Sequence, residues 1–212
     1  MTIIVKGEEL VLDKERAVYL PQHRLLVISD LHLGKSAHFR QAGLNVPATL
    51  AQNDLQRLDA LLSTYNPETL LINGDMFHHG LNADIDEFKA WRTERKNIKF
   101  LLVKGNHDLL DTAEYDNMNI DIEESSFCLG PFCFIHDAPK CTKEELYPIS
   151  GHIHPGVTVF GKAKQRLKFP CFYFGNNYAI LPAFSCFTGL YKIKPKKNER
   201  IFAITPNAVV EV

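Results

Sequence analysis

Short clusters of Asp, Asn and His recur along this chain, and each follows a compact apolar run. The first half carries three of them, Asp30-Leu31-His32, Gly74-Asp75 and Gly105-Asn106-His107-Asp108, and the second half carries His136 and Gly151-His152-Ile153-His154. Carboxylates, imidazoles and an amide oxygen are ligands for borderline and hard divalent cations, and no thiolate is among them to hold a structural zinc. The set therefore favours a catalytic metal site.

The number of candidate ligands indicates two ions. Seven ligands are too many for one ion with an open position, but they suffice for two ions if one carboxylate bridges them: Asp30, His32, Asp75, Asn106, His136, His152 and His154. Two ions about 3.5–4 Å apart can clamp a phosphoryl group and activate a water between them. A single Asp-x-His or Gly-Asp is commonly a cap or turn. The prediction rests on the joint occurrence of all the clusters.

The local spacing is compatible with this site. In Asp30-x-His32 and His152-x-His154, residues two apart are expected on one side of an extended segment. A glycine directly precedes three of the candidate ligands, Asp75, Asn106 and His152. These glycines free the backbone to turn sharply and to approach the ions closely.

The apolar runs predict the elements that position these groups. Buried strands are predicted at 24–30, 69–75 and 98–106, with helices between them whose apolar positions are Leu50, Leu55, Leu58, Leu61 and Leu62, then Ile85, Phe88 and Trp91. This βαβαβ pattern predicts parallel strands, and functional groups gather beyond the carboxyl ends of such strands. From about residue 118 onward, short strands with little helix predict a second sheet.

Composition predicts one ordinary globular domain over residues 1–212. The chain is 45% hydrophobic, and its net charge of −1 indicates neither a nucleic acid nor a membrane partner. No segment approaches the roughly 18 apolar residues of a membrane span, and acids come too early for a secretory signal, so a cytoplasmic location is expected. The five cysteines form no CxxC pair and are predicted to be small buried hydrophobes without a mechanistic role: Cys128, Cys133, Cys141, Cys171 and Cys186.

Taken in order, the polar clusters resemble the five motifs of the calcineurin-like metallophosphoesterases. The resemblance implies that Asp30, His32 and His154 hold one ion. It implies further that Asn106, His136 and His152 hold the other, and that Asp75 bridges the two. The implied fold is an α/β sandwich of two β-sheets packed face to face with flanking helices, a four-layer α-β-β-α arrangement without a cap domain.

Softer motifs resemble the subgroup called DNA ligase-associated phosphoesterases. They are the stretch 29–35 (SDLHLGK), the phrase 181–184 (LPAF) with 187–189 (FTG), and the short length. The stretches 74–78 (GDMFH) and 31–35 (LHLGK) are also similar to SbcD-type nucleases. This resemblance implies a repair setting and association with DNA ligase or helicase proteins.

The mechanism implied is attack of a metal-bridging hydroxide on phosphorus, with a side chain that protonates the leaving oxygen. His107 is the predicted general acid, and Asp108 is predicted to hold its tautomer. The alternative for Asp108 is an N-cap of the segment that follows, 109–115 (LLDTAEY).

Other polar residues leave alternatives open. His78 and His79 either line the site or are hydrogen-bonded elsewhere, whereas His23 and His38 are not predicted as ligands. Lys35 and Arg40 either contact the substrate phosphate or are solvated charges. A basic stripe that alternates along an extended strand either binds a polyanion or keeps a sheet edge from pairing: Lys162, Lys164, Arg166 and Lys168.

The favoured function is a metal-dependent phosphodiesterase or nuclease acting on DNA or RNA, with single-stranded nucleic acid as a candidate substrate and no membrane partner. A phosphatase or phosphodiesterase for small molecules such as nucleotides is the alternative. An inactive protein-binding scaffold is disfavoured because no ligand or catalytic histidine is missing. The resemblance makes Mn²⁺ the first choice for both ions, and Fe, Zn or Mg suits the same mixed donor set.

Overall fold

The computed structural model describes residues 1–47, 49–78, 80, 82–138, 145–160, 165–194 and 196–212. Its first sheet has seven strands whose spatial order follows the chain: β1 (Thr2–Val5), β2 (Glu8–Asp13), β3 (Ala17–Leu20), β4 (Leu25–Ile28), β5 (Thr69–Asn73), β6 (Lys99–Val103) and β7 (Ile120–Glu123). Strands β1 to β4 pair antiparallel, and β4 to β7 pair parallel. The predicted parallel core is confirmed.

All three predicted strands end earlier than predicted, with β5 ending at Asn73 and β6 at Val103, and the change of sheet comes later than predicted. Strand β4 ends at Ile28, so Asp30 lies in the loop beyond the strand. Strand β7 pairs with β6 in the first sheet, so the change of sheet expected near residue 118 falls after Glu123. A run of apolar residues indicates a strand, but the partner of that strand depends on contacts that are distant in sequence.

Helices cover the outer face of the first sheet. They are α1 (Lys35–Gln41), α2 (Leu50–Tyr65), α3 (Ala83–Thr93) and α4 (Thr112–Asn117), and a short 3₁₀ helix spans Pro21–His23. Helix α2 buries Leu55, Leu58 and Leu62 along one stripe, and α3 buries Ile85 and Phe88. Both predicted helices are confirmed, and their apolar stripes pack on alternate residues of β4, β5 and β6.

Among the described residues, the second sheet has nine strands. They are β8 (Phe127–Leu129), β9 (Phe132–Phe134), β10 (Tyr147–Ser150), β11 (Pro155–Phe160), β12 (Arg166–Phe174), β13 (Ala179–Ile180), β14 (Tyr191–Lys192), β15 (Arg200–Ile204) and β16 (Val209–Glu211). Their order is β14-β11-β12-β13-β10-β9-β8, with β15 beside β12 and β16 beside β15. Strands β9 and β10 are parallel, so the loops that follow them leave the sheet at the same edge.

The main core lies between the two sheets. Val27, Leu71 and Leu101 of the first sheet pack there with Phe134 and Phe172 of the second. The expected α/β sandwich with flanking helices is confirmed. Within the described ranges, every helix precedes β7, and a smaller cluster that includes Val157, Cys171, Tyr173, Ile180 and Ile201 forms on the second sheet.

Two further predictions concern membranes and cysteines. None of the helices in the described parts of the chain is long and apolar enough to cross a membrane. Cys133 and Cys171 are buried as predicted, whereas Cys128 is only partly buried and Cys186 is exposed, so the prediction is wrong for Cys186. Cys141 lies outside the described residues.

Candidate metal centre

The ends of five strands bring the predicted ligands together. Asp30 and His32 follow β4, Asp75 follows β5, Asn106 follows β6, His136 follows β9, and His152 and His154 follow β10. Because β4, β5 and β6 are parallel, their loops meet at one edge of the first sheet. The parallel pair β9 and β10 delivers the remaining histidines to the same place from the second sheet.

The first group of ligand atoms belongs to Asp30, His32 and His154. The Nε2 atoms of His32 and His154 are 3.3 Å apart, and His154 Nε2 is 3.5 Å from Asp30 Oδ1. Asp30 is fully buried, and Ser29 Oγ donates to its other oxygen, Oδ2, at 2.6 Å. The backbone N–H of His152 also donates to both carboxylate oxygens, so the protein fixes this carboxylate while its Oδ1 lies next to the His154 ring nitrogen.

The second group belongs to Asp75, His136 and His152. His136 Nε2 is 3.4 Å from Asp75 Oδ2 and 3.0 Å from His152 Nδ1. Asn106 Oδ1 is 3.1 Å from the same His136 nitrogen and adds a fourth ligand atom. In each group of three, the ligand atoms lie within 4.8 Å of one another.

These separations fit ligands around a shared ion. Atoms that bind a divalent ion at about 2.1 Å are about 3.0 Å apart in an octahedral site and about 3.4 Å apart in a tetrahedral one. The shortest separations within the two groups run from 3.0 to 3.5 Å. The donor set, without thiolates, suits divalent catalytic metals.

The protonation states of two candidate ligands, His32 and Asp75, also favour cation binding. Burial lowers the pKa of His32 to about 3, although the charges of Asp30 and Asp75 oppose this shift. Burial raises the pKa of Asp75, but the hydrogen bond and charge of His136 outweigh it, and the pKa falls to about 2. At neutral pH the ring of His32 is thus neutral, with a lone pair for an ion, and Asp75 is ionised.

The backbone of the ligands is left-handed and not extended. Five of the seven predicted ligands have positive φ, and their values are 52° for Asp30, 50° for His32, 49° for Asp75, 70° for His152 and 49° for His154. The prediction that Asp-x-His and His-x-His present both groups from an extended segment is wrong in this respect. Such backbone conformations are uncommon for residues other than glycine and cluster at functional sites.

The glycines before the ligands are required by close packing. A Cβ on Gly74 would overlap the His136 ring, and one on Gly105 would overlap Asp75. A Cβ on Gly151 would overlap Ser29 Oγ and lie 2.5 Å from Asp30 Oδ2. In each case the missing Cβ makes room for a candidate ligand or for the residue that holds one.

His107 lies at the rim of the two groups. Its backbone N–H donates to Asp75 Oδ1 at 3.0 Å. Its ring stacks on His78, with centroids 5.0 Å apart, and is edge-on to His32 at 5.6 Å. Of the two alternatives for His78, lining the site is therefore the one observed, whereas His79 lies outside the described residues.

Asp108 contacts backbone and not the His107 ring. Its Oδ1 accepts from Phe77 N at 3.0 Å, and its Oδ2 accepts from Gly105 N at 2.8 Å. Burial raises its pKa to about 6 against these two hydrogen bonds. The alternative of an N-cap is wrong, because α4 has Asp111 at that position. Asp108 instead ties together the loops that carry Asp75 and Asn106.

The basic residues proposed as substrate contacts differ in whether their charge is already paired within the protein. Arg40 donates to Asp84 Oδ1 at 3.0 Å, so its charge is engaged within the protein. Lys35 is half-buried next to His32 in a small cleft, and its ammonium lies 5.9 Å from the centroid of the Phe187 ring. On β12, Arg166 and Lys168 are exposed two residues apart. Lys162 and Lys164 lie outside the described residues.

Sequence reasoning missed Asn73, which positions the ligands without being one. Its side chain is fully buried, and Nδ2 donates to Ile149 O at 2.9 Å and to Ile135 O at 3.3 Å. These carbonyls lie just before the loops of His136 and His152, so one amide joins the two sheets at the site. A polar residue in the apolar run of β5 was the available signal.

Comparison with known proteins identifies solved structures that are similar to this chain. The nuclease MPE of Pseudomonas putida has a solved structure similar to this chain, with a TM-score of 0.85 at 29% sequence identity, over 100% of this chain and 99% of that one. The phosphoesterase Yfce of E. coli gives a TM-score of 0.48 at 12% identity, over 89% of this chain and 97% of that one. No curated protein matches the chain.

The family model described as calcineurin-like phosphoesterase matches residues 23–196. This range contains all seven candidate ligands and the edge at which the two sheets present them. The nuclease neighbour is consistent with the resemblance to the DNA ligase-associated subgroup. The chain therefore belongs to the calcineurin-like phosphoesterase family and is a metal-dependent phosphoesterase.

Proposed function

We propose that this phosphoesterase is a two-metal phosphodiesterase that cleaves DNA or RNA. The observation that carries the proposal is the pair of ligand groups at one edge of the sandwich, in a chain that matches a nuclease over its full length. By family resemblance we also propose that residues 1–212 act as a single domain in the cytoplasm, in association with DNA ligase and helicase repair proteins.

Seven residues would hold the ions, with Asp75 between the two groups: Asp30, His32 and His154 on one side, and Asn106, His136 and His152 on the other. When bound, two divalent ions supply an activated water and neutralise charge on the phosphoryl oxygens. Mn²⁺ is our first choice, and Fe, Zn or Mg suits the same donors.

His107 is the proposed proton donor to the leaving oxygen. The hydrogen bond from its backbone to Asp75 Oδ1 holds it beside the ligands, and stacking on His78 orients its ring. Asp108 is a proposed positioning residue, because it fixes the loop of His107 through Gly105 N and the adjacent loop through Phe77 N. A general acid at this position contributes about 10²–10⁴-fold to turnover.

The test compares His107→Ala with wild type on several substrates in the presence of Mn²⁺. The substrates are single-stranded DNA, duplex DNA, RNA, a p-nitrophenyl phosphodiester and the matching monoester. We expect the variant to bind wild-type amounts of metal and to lose about 10²-fold or more on nucleic acid. It should lose less on the p-nitrophenyl diester, because that leaving group departs without a proton.

The matched control is His23→Ala, since His23 lies near Glu8 and away from the ligand groups. Equal nucleic acid cleavage by His107→Ala and wild type would remove His107 from the mechanism. Hydrolysis of the monoester alone, with no cleavage of any nucleic acid, would favour the small-molecule phosphatase instead.

A further inference from the structure

A groove of about 420 Å³ lies next to the metal centre and is lined mainly by tyrosines and lysines. Six of its lining residues define what we call the tyrosine–lysine groove: Ile153, Tyr178, Tyr191, Lys192, Lys194 and Lys196. The groove continues over a part of the second sheet where the described residues include no helix. None of the predicted metal ligands or catalytic residues lines it.

The groove is directly continuous with the metal centre. Ile153, which is 36% exposed, stands between the ligands His152 and His154. The backbone N–H of Tyr191 donates to the carbonyl oxygen of His154 at 2.9 Å. A chain that enters the groove therefore leaves it beside a ligand of each ion group.

The charge of the groove suits an anionic polymer. Lys192, Lys194 and Lys196 are exposed, and none of them forms an ion pair with a residue in the described ranges. The acid that lines the groove, Glu199, accepts a hydrogen bond from Lys196 N at 2.9 Å and also bonds to Tyr173. The groove therefore has three lysines and one hydrogen-bonded glutamate, so its charge is positive although the net charge of the chain is −1.

The aromatic rings of the groove are available for stacking. Tyr191 is 65% exposed and Tyr178 is 37% exposed. The Tyr178 ring packs against the buried ring of Tyr173, with centroids 5.4 Å apart, so that one ring supports the other. Exposed aromatic rings beside a line of cations are the features with which proteins bind single strands, because every base has a face that can stack.

We propose that the tyrosine–lysine groove binds the part of a single-stranded nucleic acid that extends beyond the scissile phosphate. The lysines would neutralise phosphates, and Tyr178 and Tyr191 would stack on bases. A duplex hides its base faces, so the groove selects single strands over duplexes. The inference rests on the proposed nuclease function and adds to it the path and the form of the substrate.

The test measures binding of a fluorescent phosphorothioate dT 12-mer to the metal-loaded protein at several salt concentrations. Lys192→Gln with Lys194→Gln should lower the slope of log affinity against log salt by about 1.4, since each single-strand phosphate contact contributes about 0.7. Tyr178→Ala with Tyr191→Ala should weaken binding about tenfold or more and change the slope little.

The matched control for charge is Lys96→Gln with Lys197→Gln, two exposed lysines that do not line the groove. This pair should keep wild-type affinity and slope. All variants should keep the wild-type rate on a p-nitrophenyl diester, because none alters the metal ligands.

The possible results distinguish failure of the groove inference from failure of the proposed nuclease function. If wild type cleaves single strands and both groove variants bind and cleave them equally well, the groove inference is overturned and the nuclease function stands. Tight duplex binding that the tyrosine variant does not change would also overturn it. If wild type hydrolyses the small diester but neither binds nor cleaves any nucleic acid, the nuclease proposal itself fails.

Discussion

Replacement of Asn73 by Leu tests whether one buried amide holds the two halves of the metal centre together. Asn73 ends β5 and donates to Ile149 O and Ile135 O, at the ends of the strands that lead to His152 and His136. Leucine keeps the branched shape of asparagine without its N–H group, although its side chain is larger. The substitution therefore removes two hydrogen bonds across the sheets, and the surrounding core must accommodate the added volume.

The expected loss of stability is the sum of the effects at the two carbonyl oxygens that Asn73 contacts. Ile149 O keeps a hydrogen bond from Ile135 N at 3.1 Å, so removal of its second hydrogen bond, from Asn73, costs about 0.5–1.5 kcal/mol. Ile135 O loses the amide of Asn73 in a buried position, which costs about 1–3 kcal/mol. Together, these losses should lower the free energy of unfolding of the metal-free protein by about 1.5–4.5 kcal/mol.

Metal binding should weaken as well. Loss of a group that orients ligands typically lowers metal affinity about 10–100-fold, and here the effect should be largest at the group of His136 and His152. The assays are urea unfolding of the metal-free protein and calorimetric titration with Mn²⁺. Asn53→Leu, on the exposed face of α2, is the matched control and should change stability by less than about 0.5 kcal/mol. A loss under about 1 kcal/mol with wild-type Mn²⁺ affinity would refute the reasoning.

Two further predictions concern the ligands and their packing. Asp75→Asn should weaken metal binding at both groups, whereas His152→Ala should spare the group of Asp30, His32 and His154; metal analysis after gel filtration distinguishes them, and equal metal loss in both variants would contradict a bridging Asp75. Gly151→Ala should abolish metal binding and activity because the added Cβ overlaps Ser29 Oγ, whereas Gly80→Ala, which has open space, should behave as wild type. Retained metal binding in Gly151→Ala would contradict the inference that a Cβ at this position displaces Ser29 and Asp30.

The candidate ligands and the central elements that bring them together could be predicted from the sequence. The apolar runs before Asp30, Asp75 and Asn106 indicate strands because buried parallel strands need continuous hydrophobic residues. The periodic apolar stripes of α2 and α3 indicate helices, because a helix that packs on a sheet must bury one of its faces. Parallel order then brings the strand ends together, which is why local patterns were sufficient to predict a shared site.

Contacts that depend on three-dimensional packing could not be predicted in this way. The pairing of β7 with β6 and the stacking of His78 on His107 join segments whose contact no local pattern records. Asp108 was assigned to its sequence neighbour His107, but its carboxylate reaches Phe77 N, 31 residues away. The tyrosine–lysine groove could not be predicted from local patterns either, because its residues come from three separate segments.

The left-handed ligand backbones show how the fold maintains this site. A left-handed residue other than glycine costs roughly 1–2 kcal/mol. Beyond the paired residues Ile28 and Ile72, the two loops remain hydrogen-bonded, from Asp30 N to Gly74 O at 3.0 Å and from His32 N to Asp75 O at 2.9 Å. The parallel pairing of β4 and β5 thus extends into the loops and offsets their strain. Because these bonds join protein atoms alone, the sheet end itself contributes to the placement of these candidate ligands.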